Sequence, residues 1–174
     1  MSNNANEGHP GALIAQIATY ANLSLDLRPN VILVMAGTND INANINATSA
    51  PDRLASLTDQ CITSCPDAAI LVAQLTPIAN DDSQTRADDF NAAIPGIVDE
   101  RAKRGKKVLV VDMEKYVTIE ELMDGLHPDD VGYEGMAMAW YDGIKYATSK
   151  GWIGEPVSNG GNASTVVKSD GAVE

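Results

Sequence analysis

The sequence of 174 residues has few cysteines, histidines and basic side chains. Its two cysteines are too few for a disulfide framework, and with only two histidines we expect no metal site. Twelve Lys and Arg stand against 24 Asp and Glu, and the net charge of -12 disfavours nucleic acid and anionic membranes as partners. No apolar run approaches the roughly 20 residues that span a bilayer. The composition indicates no particular oligomeric state.

Three short apolar runs are present, at residues 31–36, 69–75 and 107–112. Each is continuous, rich in Val, Ile and Leu, and closed by turn residues, which is typical of strands buried on both faces of a parallel sheet. Segments with helical periodicity precede, separate and follow these runs. The resulting order, α-β-α-β-α-β-α, predicts an α/β fold: a three-layer α/β/α sandwich around a flavodoxin-like parallel sheet.

The periodic pattern ends near Trp152, and the remainder is rich in Gly, Ser and Asn. We therefore predict one domain over residues 1–152 and a flexible linker or tail over residues 153–174. A parallel sheet of three strands is thin for an open α/β fold. This thinness is the first indication that central strands are missing. The two cysteines, Cys61 and Cys65, fall in a predicted helix and are expected to be free and buried.

Ligands of open parallel sheets bind at the carboxyl ends of the strands, so the residues that follow each run are site candidates. Gly37, Thr38, Asn39 and Asp40 follow the first run. They fit a strand-terminating turn, and the alternative is a site in which the Asn39 amide donates to an oxyanion. After the third run, His127 is either an ordinary surface histidine or a general base whose tautomer Asp124 fixes.

A third candidate segment is Glu7-Gly8-His9-Pro10-Gly11, directly before a predicted helix. It can be a Gly/Pro loop that leads into the helix and nothing more. It can also place the backbone N–H of Gly11 at the helix start, where anions bind readily.

Gly11, the GTND sequence at 37–40 and the DGLHP sequence at 124–128 together resemble the SGNH, or GDSL, hydrolase superfamily, in the same order as its last three sequence blocks. The resemblance covers roughly residues 7–152 and looks closest to microbial carbohydrate acetyl esterases. It implies that His127 is the general base, Asp124 its orienting partner, and Gly11 and Asn39 the oxyanion hole. It implies acyl transfer to serine without a cofactor, acting on a small-molecule or carbohydrate ester.

The serine block of that superfamily, a Gly-Asp-Ser after the first strand, has no match, so no nucleophile is identified in this chain. Ser2 and Ser83 fit no block. We therefore expect a truncated domain without its first two strands, inactive by itself, from a secreted, extracellular parent. Two alternatives stay open: a non-catalytic module that binds glycans or esters, and an unrelated flavodoxin-like binding domain.

Overall fold

The computed structural model describes residue 6 and residues 8–157, so the predictions for Ser2, Glu7 and the tail after residue 157 lie outside the described residues. In the described part, five α-helices and three β-strands follow each other: α1 (Ile14–Leu25), β1 (Val31–Val34), α2 (Thr38–Asn42), α3 (Ala50–Ser64), β2 (Ala69–Ala73), α4 (Asp81–Lys103), β3 (Val108–Val111) and α5 (Asp130–Ser149). Two short 3₁₀ turns are added: Ala47–Ser49 and Ile119–Glu121. The predicted order of elements is confirmed, with the short helix α2 as an addition.

The three strands form one parallel sheet in the order β1-β2-β3. Every residue of the central strand β2 is buried, as its continuous apolar run predicts. Ile70 and Val72 belong to a core shared with α1, α3 and α4, whereas Leu71 packs on the opposite face under α5. The alternation of side chains along one strand therefore serves two helical layers, and the predicted three-layer α/β/α sandwich is confirmed.

Strand β1 departs from the prediction of burial on both faces. Leu33 is 44% exposed, although Leu71, its partner in register on β2, is fully buried. The physical reason is coverage, because α5 packs over β2 and β3 and leaves the face of β1 partly open. In the described part of the chain β1 also has a strand on one side only.

Helix α5 begins at Asp130, directly after Asp129. The side chain of Asp129 accepts a hydrogen bond from the backbone N–H of Gly132 at 2.9 Å and so caps the helix. Gly132 is required there, since a Cβ would lie 2.7 Å from the carbonyl oxygen of Glu121. The start of α5 is thereby held close to Glu121, earlier in the 112–129 segment.

The residues after α5 lie against the body of the domain. Trp152 and Ile153 pack into the core under α5, and the Gly154 carbonyl accepts from the side chain of Asn30. The boundary at residue 152 stays a prediction. Cys61 and Cys65 are both free and buried, as expected. In the described part of the chain, no helix is long and apolar enough to cross a membrane.

Candidate active site

The candidate site lies at the carboxyl edge of the sheet, where the segments that follow the three strands meet. Residues 35–43 follow β1, residues 74–80 follow β2 and residues 112–129 follow β3. The first segment carries Asn39 and the third carries Asp124 and His127. The sequence-predicted side chains therefore all follow strands, and parallel pairing brings these segments to one edge.

The histidine and the aspartate form a direct pair. The Nδ1 atom of His127 lies 2.8 Å from Oδ2 of Asp124, and both side chains are more than half exposed. The other carboxylate oxygen, Oδ1, accepts the backbone N–H of His127 at 2.8 Å and that of Leu126 at 3.0 Å. One carboxylate thus holds both the imidazole ring and the backbone that carries it.

These hydrogen bonds also set the charge of the carboxylate. The backbone N–H of His127, its side chain and the N–H of Leu126 stabilise the ionised form and lower the pKa of Asp124 to about 2. Asp124 is therefore an anion at neutral pH, and its carboxylate accepts a hydrogen bond from the Nδ1–H group of His127. This arrangement directs the Nε2 atom of His127, with its lone pair, away from Asp124.

The loop between the two residues is anchored from both sides. Gly125 adopts a φ of +83°, and a Cβ there would lie 3.0 Å from the Cβ of Ala79. The carbonyl of Gly125 accepts the N–H of Ala79 at 2.8 Å, which ties the loop to the segment after β2. The N–H of Met123 donates to the carbonyl of His127 at 2.8 Å and closes the loop.

Asn39 lies in the first turn of α2, and residues 35–37 connect that helix to β1. Its side-chain amide donates to the carbonyl of Ala12 at 2.9 Å, so one of its two N–H groups is engaged and the other is left to donate elsewhere. Gly37 precedes it at a φ of +126°, and a Cβ at Gly37 would lie 2.7 Å from the ring of Phe90. The backbone of Gly37 thus packs closely against the buried Phe90 ring, which places the start of α2 against the core.

Gly11 lies in the turn that leads into α1, at a φ of +73°. The turn is closed by a hydrogen bond from the Ala12 N–H to the His9 carbonyl at 3.1 Å. Within residues 6 and 8–157, no backbone carbonyl accepts from the Gly11 N–H. Gly11 is exposed and directly precedes Ala12, whose carbonyl accepts the Asn39 amide. The segments that carry the two predicted oxyanion donors are thus joined by a hydrogen bond.

The far end of α2 is clamped by α4. The Arg86 guanidinium donates to the carbonyls of Ile41 at 2.9 Å and Asn42 at 3.2 Å. Ser83, also considered above as a serine of interest, is 3% exposed and donates its hydroxyl to the Asn42 carbonyl. Ser83 thus belongs to this clamp, and its hydroxyl accepts a further bond from Arg86 at 2.9 Å.

The pair and the two donors form separate halves. Among the described residues no hydrogen bond links Asp124 or His127 to Gly11 or Asn39. The segment after β2 contacts one half through Ala79, and α4, which follows that segment, clamps the other. In the same part of the chain no group of three or more His, Cys, Asp or Glu side chains could hold a metal ion.

Sequence reasoning missed the residues that support these halves. Asp40 was counted only as a turn residue, yet it is 1% exposed and bonded to both Ile14 and Arg53. Ala79 gave no signal, because its role is a backbone N–H and a small side chain. For Asp40, the only available signal was its position next to Asn39 in the segment that follows the first apolar run.

Comparison with known proteins assigns the family. The model of the GDSL-like lipase/acylhydrolase family matches residues 2–134. A curated protein of Acetivibrio thermocellus named "Putative endoglucanase X" is 35% identical over 134 residues, a match that covers 74% of this chain and 56% of that protein. The chain thus spans a little over half the length of this relative.

Two solved structures are similar over most of the chain. A family 3 carbohydrate esterase of Clostridium thermocellum has a TM-score of 0.73 and 32% identity, over 88% of this chain and 74% of that one. A family 3 carbohydrate esterase of Talaromyces cellulolyticus has a TM-score of 0.71 and 25% identity, over 82% of this chain and 72% of that one. The chain belongs to the GDSL-like lipase/acylhydrolase family.

Proposed function

We propose that this chain supplies the general base and the oxyanion hole of an ester hydrolase that works through an acyl-serine intermediate. The observation that carries the proposal is the 2.8 Å contact between His127 Nδ1 and an Asp124 carboxylate that accepts two further backbone N–H groups. Membership of an acylhydrolase family supports the same chemistry.

In the proposed mechanism His127 takes the proton of a serine hydroxyl at Nε2 while the serine oxygen attacks the ester carbonyl. Asp124 stabilises the imidazolium that forms, since its lowered pKa keeps it ionised. The N–H of Gly11 and the free N–H of Asn39 donate to the tetrahedral oxyanion. The imidazolium then protonates the leaving alcohol, and water hydrolyses the acyl-serine by the same route.

The serine itself has to come from elsewhere than the described residues. None of the serines within residues 6 and 8–157 directly follows a strand, and the hydroxyl of Ser83 is engaged in the clamp on α2. We propose that the free edge of β1, which in the described part of the chain has a strand on one side only, receives a further strand that carries the nucleophile. The solved C. thermocellum esterase, of which this chain covers 74%, is long enough to include such a strand.

We propose acetyl esters of carbohydrate as the substrate class. Similarity to two family 3 carbohydrate esterases supports it, as does the "acetyl esterase" of another solved structure with the same fold. An enzyme acting on polymeric carbohydrate works outside the cell, so the parent protein is proposed to be extracellular. The oxyanion hole and the general base can act on any such ester. The segments after the strands are proposed to form the pocket that binds the acyl group.

The experiment compares acetate release from 4-nitrophenyl acetate and acetylated xylan by two proteins. The first is this chain alone, and the second is a chimera in which the serine-block segment of the C. thermocellum esterase precedes it. We expect background hydrolysis by the chain and turnover by the chimera, because only the second contains all parts of the site. Asn39→Ala in the chimera is expected to lower kcat by about a hundredfold, the usual effect of losing one oxyanion donor.

Two outcomes would contradict the proposal. Turnover by the chain alone that disappears in His127→Ala would mean that the chain contains its own nucleophile. A folded chimera without turnover would mean that the two halves described above do not complete an ester-hydrolysing site. Retention of acetylated xylan by the inactive chain would instead favour a non-catalytic binding module.

A further inference from the structure

A buried carboxylate near the site, that of Asp40, has no part in the proposed mechanism. The side chain of Asp40 is 1% exposed and lies on α2 next to Asn39. Its Oδ2 atom accepts the backbone N–H of Ile14 at 3.0 Å, and its Oδ1 atom accepts from the Arg53 guanidinium at 2.8 Å. A buried carboxylate without such partners would be strongly unfavourable, so these two bonds determine where it sits.

The first of these bonds reaches the loop that contains Gly11. Ile14 is the first residue of α1, three residues after Gly11. The carbonyl of Ala12, between them, accepts the Asn39 amide at 2.9 Å. The segment 12–14 is therefore attached to α2 twice, once through a carbonyl and once through an N–H. Both bonds go to neighbouring residues of α2, Asn39 and Asp40.

The second bond fixes the carboxylate itself. Arg53 also donates to the Ser49 hydroxyl at 2.7 Å and to the carbonyls of Ile45 and Asn46. With four partners, this guanidinium is held in place beside the carboxylate. Asp40 thus joins α1, α2 and the start of α3 at one point.

We propose that Asp40 is a positioning residue that holds the Gly11 N–H and the Asn39 amide at a fixed separation, so that both donate to one oxygen. This inference rests on the proposed function of these two groups as an oxyanion hole. The alternative is that Asp40 contributes only to folding stability. The two differ in whether anion binding by the folded protein changes when Asp40 is altered.

Asp40→Asn is the most informative variant because it keeps the shape and removes one acceptor. The Asn side chain has one oxygen and one NH₂ group, and both of its neighbours, Ile14 N–H and Arg53, are donors. The NH₂ group of the Asn side chain must therefore face either the Ile14 N–H or the Arg53 guanidinium, donor against donor, in place of one of the two hydrogen bonds. Asp59→Asn is the matched control, since Asp59 accepts two bonds from the buried Arg101 between α3 and α4 and touches neither donor of the site.

The test is an NMR titration of the ¹⁵N-labelled full chain with sodium acetate, following the Gly11 N–H and the Asn39 side-chain amide. We expect both signals to shift together with one dissociation constant in the unmodified chain. In Asp40→Asn acetate binding is expected to weaken about tenfold, as for the loss of one charged hydrogen bond, and to stay unchanged in Asp59→Asn. Should Asp40→Asn not fold, Arg53→Gln is expected to weaken acetate binding in the same direction.

The outcomes separate the two proposals. Equal acetate affinity in the unmodified chain, in folded Asp40→Asn and in Arg53→Gln would overturn the positioning role and leave the oxyanion hole in place. If the Gly11 and Asn39 signals of the unmodified chain do not respond to acetate, the oxyanion hole is wrong and the role of Asp40 falls with it.

Discussion

Replacing Gly37 by alanine adds one methyl group at the point where β1 leads into α2. Gly37 has a φ of +126°, which side chains rarely adopt, and a Cβ there would lie 2.7 Å from Cζ and 3.0 Å from Cε1 of Phe90. Phe90 is 1% exposed and cannot swing into solvent. The methyl group therefore meets both a strained backbone and a filled core.

The two effects are of similar size. A residue held in a sparsely populated φ/ψ region costs about 1–3 kcal/mol, and inserting a methyl group into a packed core costs about 1–3 kcal/mol. Alanine recovers about 0.4–1 kcal/mol through a less flexible unfolded chain. We therefore expect Gly37→Ala to lower the free energy of unfolding by roughly 3 kcal/mol, measured by urea denaturation.

Two further variants isolate the cause. Gly96→Ala, in α4 with no atom within 4 Å of the added Cβ, is expected to be neutral or stabilising by up to about 1 kcal/mol. Phe90→Leu replaces the ring that the methyl group meets by a smaller side chain. The double variant Gly37→Ala/Phe90→Leu is therefore expected to lose less stability than the sum of the losses of the two single variants. A loss below about 0.5 kcal/mol for Gly37→Ala, or strict additivity with Phe90→Leu, would refute the reasoning.

Three further predictions concern other parts of the chain. Asp124 is expected to titrate near pH 2 by NMR, and a titration midpoint near pH 4 would contradict this. Because its folded pKa lies below the ordinary value of 3.8, the ionised carboxylate stabilises the fold above about pH 4, and this stabilisation is lost as the pH falls toward 2. Burial raises the pKa of Cys61 to about 11, so a thiol reagent at pH 8 should label it only after denaturation, and rapid labelling of the native chain would contradict this. Asp129→Ala, which removes the cap of α5, should lower the free energy of unfolding by about 1 kcal/mol in urea, against less than about 0.5 kcal/mol for the exposed Glu134→Ala; equal losses would exclude capping.

The three strands were predictable because each is a short, continuous run of β-branched and aliphatic residues. The apolar run at β2 predicts burial on both faces, and all five residues of the strand are buried. The run at β1 has the same composition, yet Leu33 is exposed, because exposure depends on which helix covers the strand and not on the strand itself. Composition reports what a strand is suited to contact, and the layer above it decides what it does contact.

The candidate site was predictable to different degrees in its two halves. Asp124 and His127 are three residues apart, so a local loop is enough to pair them, and the spacing indicated the contact. Gly11 and Asn39 lie 28 positions apart, and only the family resemblance placed them together. One of the two hydrogen bonds that join their segments involves the buried Asp40, which no pattern of spacing distinguishes from an ordinary turn aspartate.

The most direct test of the site is the rate of 4-nitrophenyl acetate hydrolysis by the chimera with and without His127. His127→Ala is expected to lower kcat at least a thousandfold with little change in KM, because the base acts in the transition state. Asp142→Ala serves as the control, since Asp142 is an exposed carboxylate on α5 that accepts a hydrogen bond from the Tyr116 hydroxyl and contacts none of the candidate site residues. A chimera whose kcat falls less than about threefold in His127→Ala would contradict the assignment of His127 as the general base.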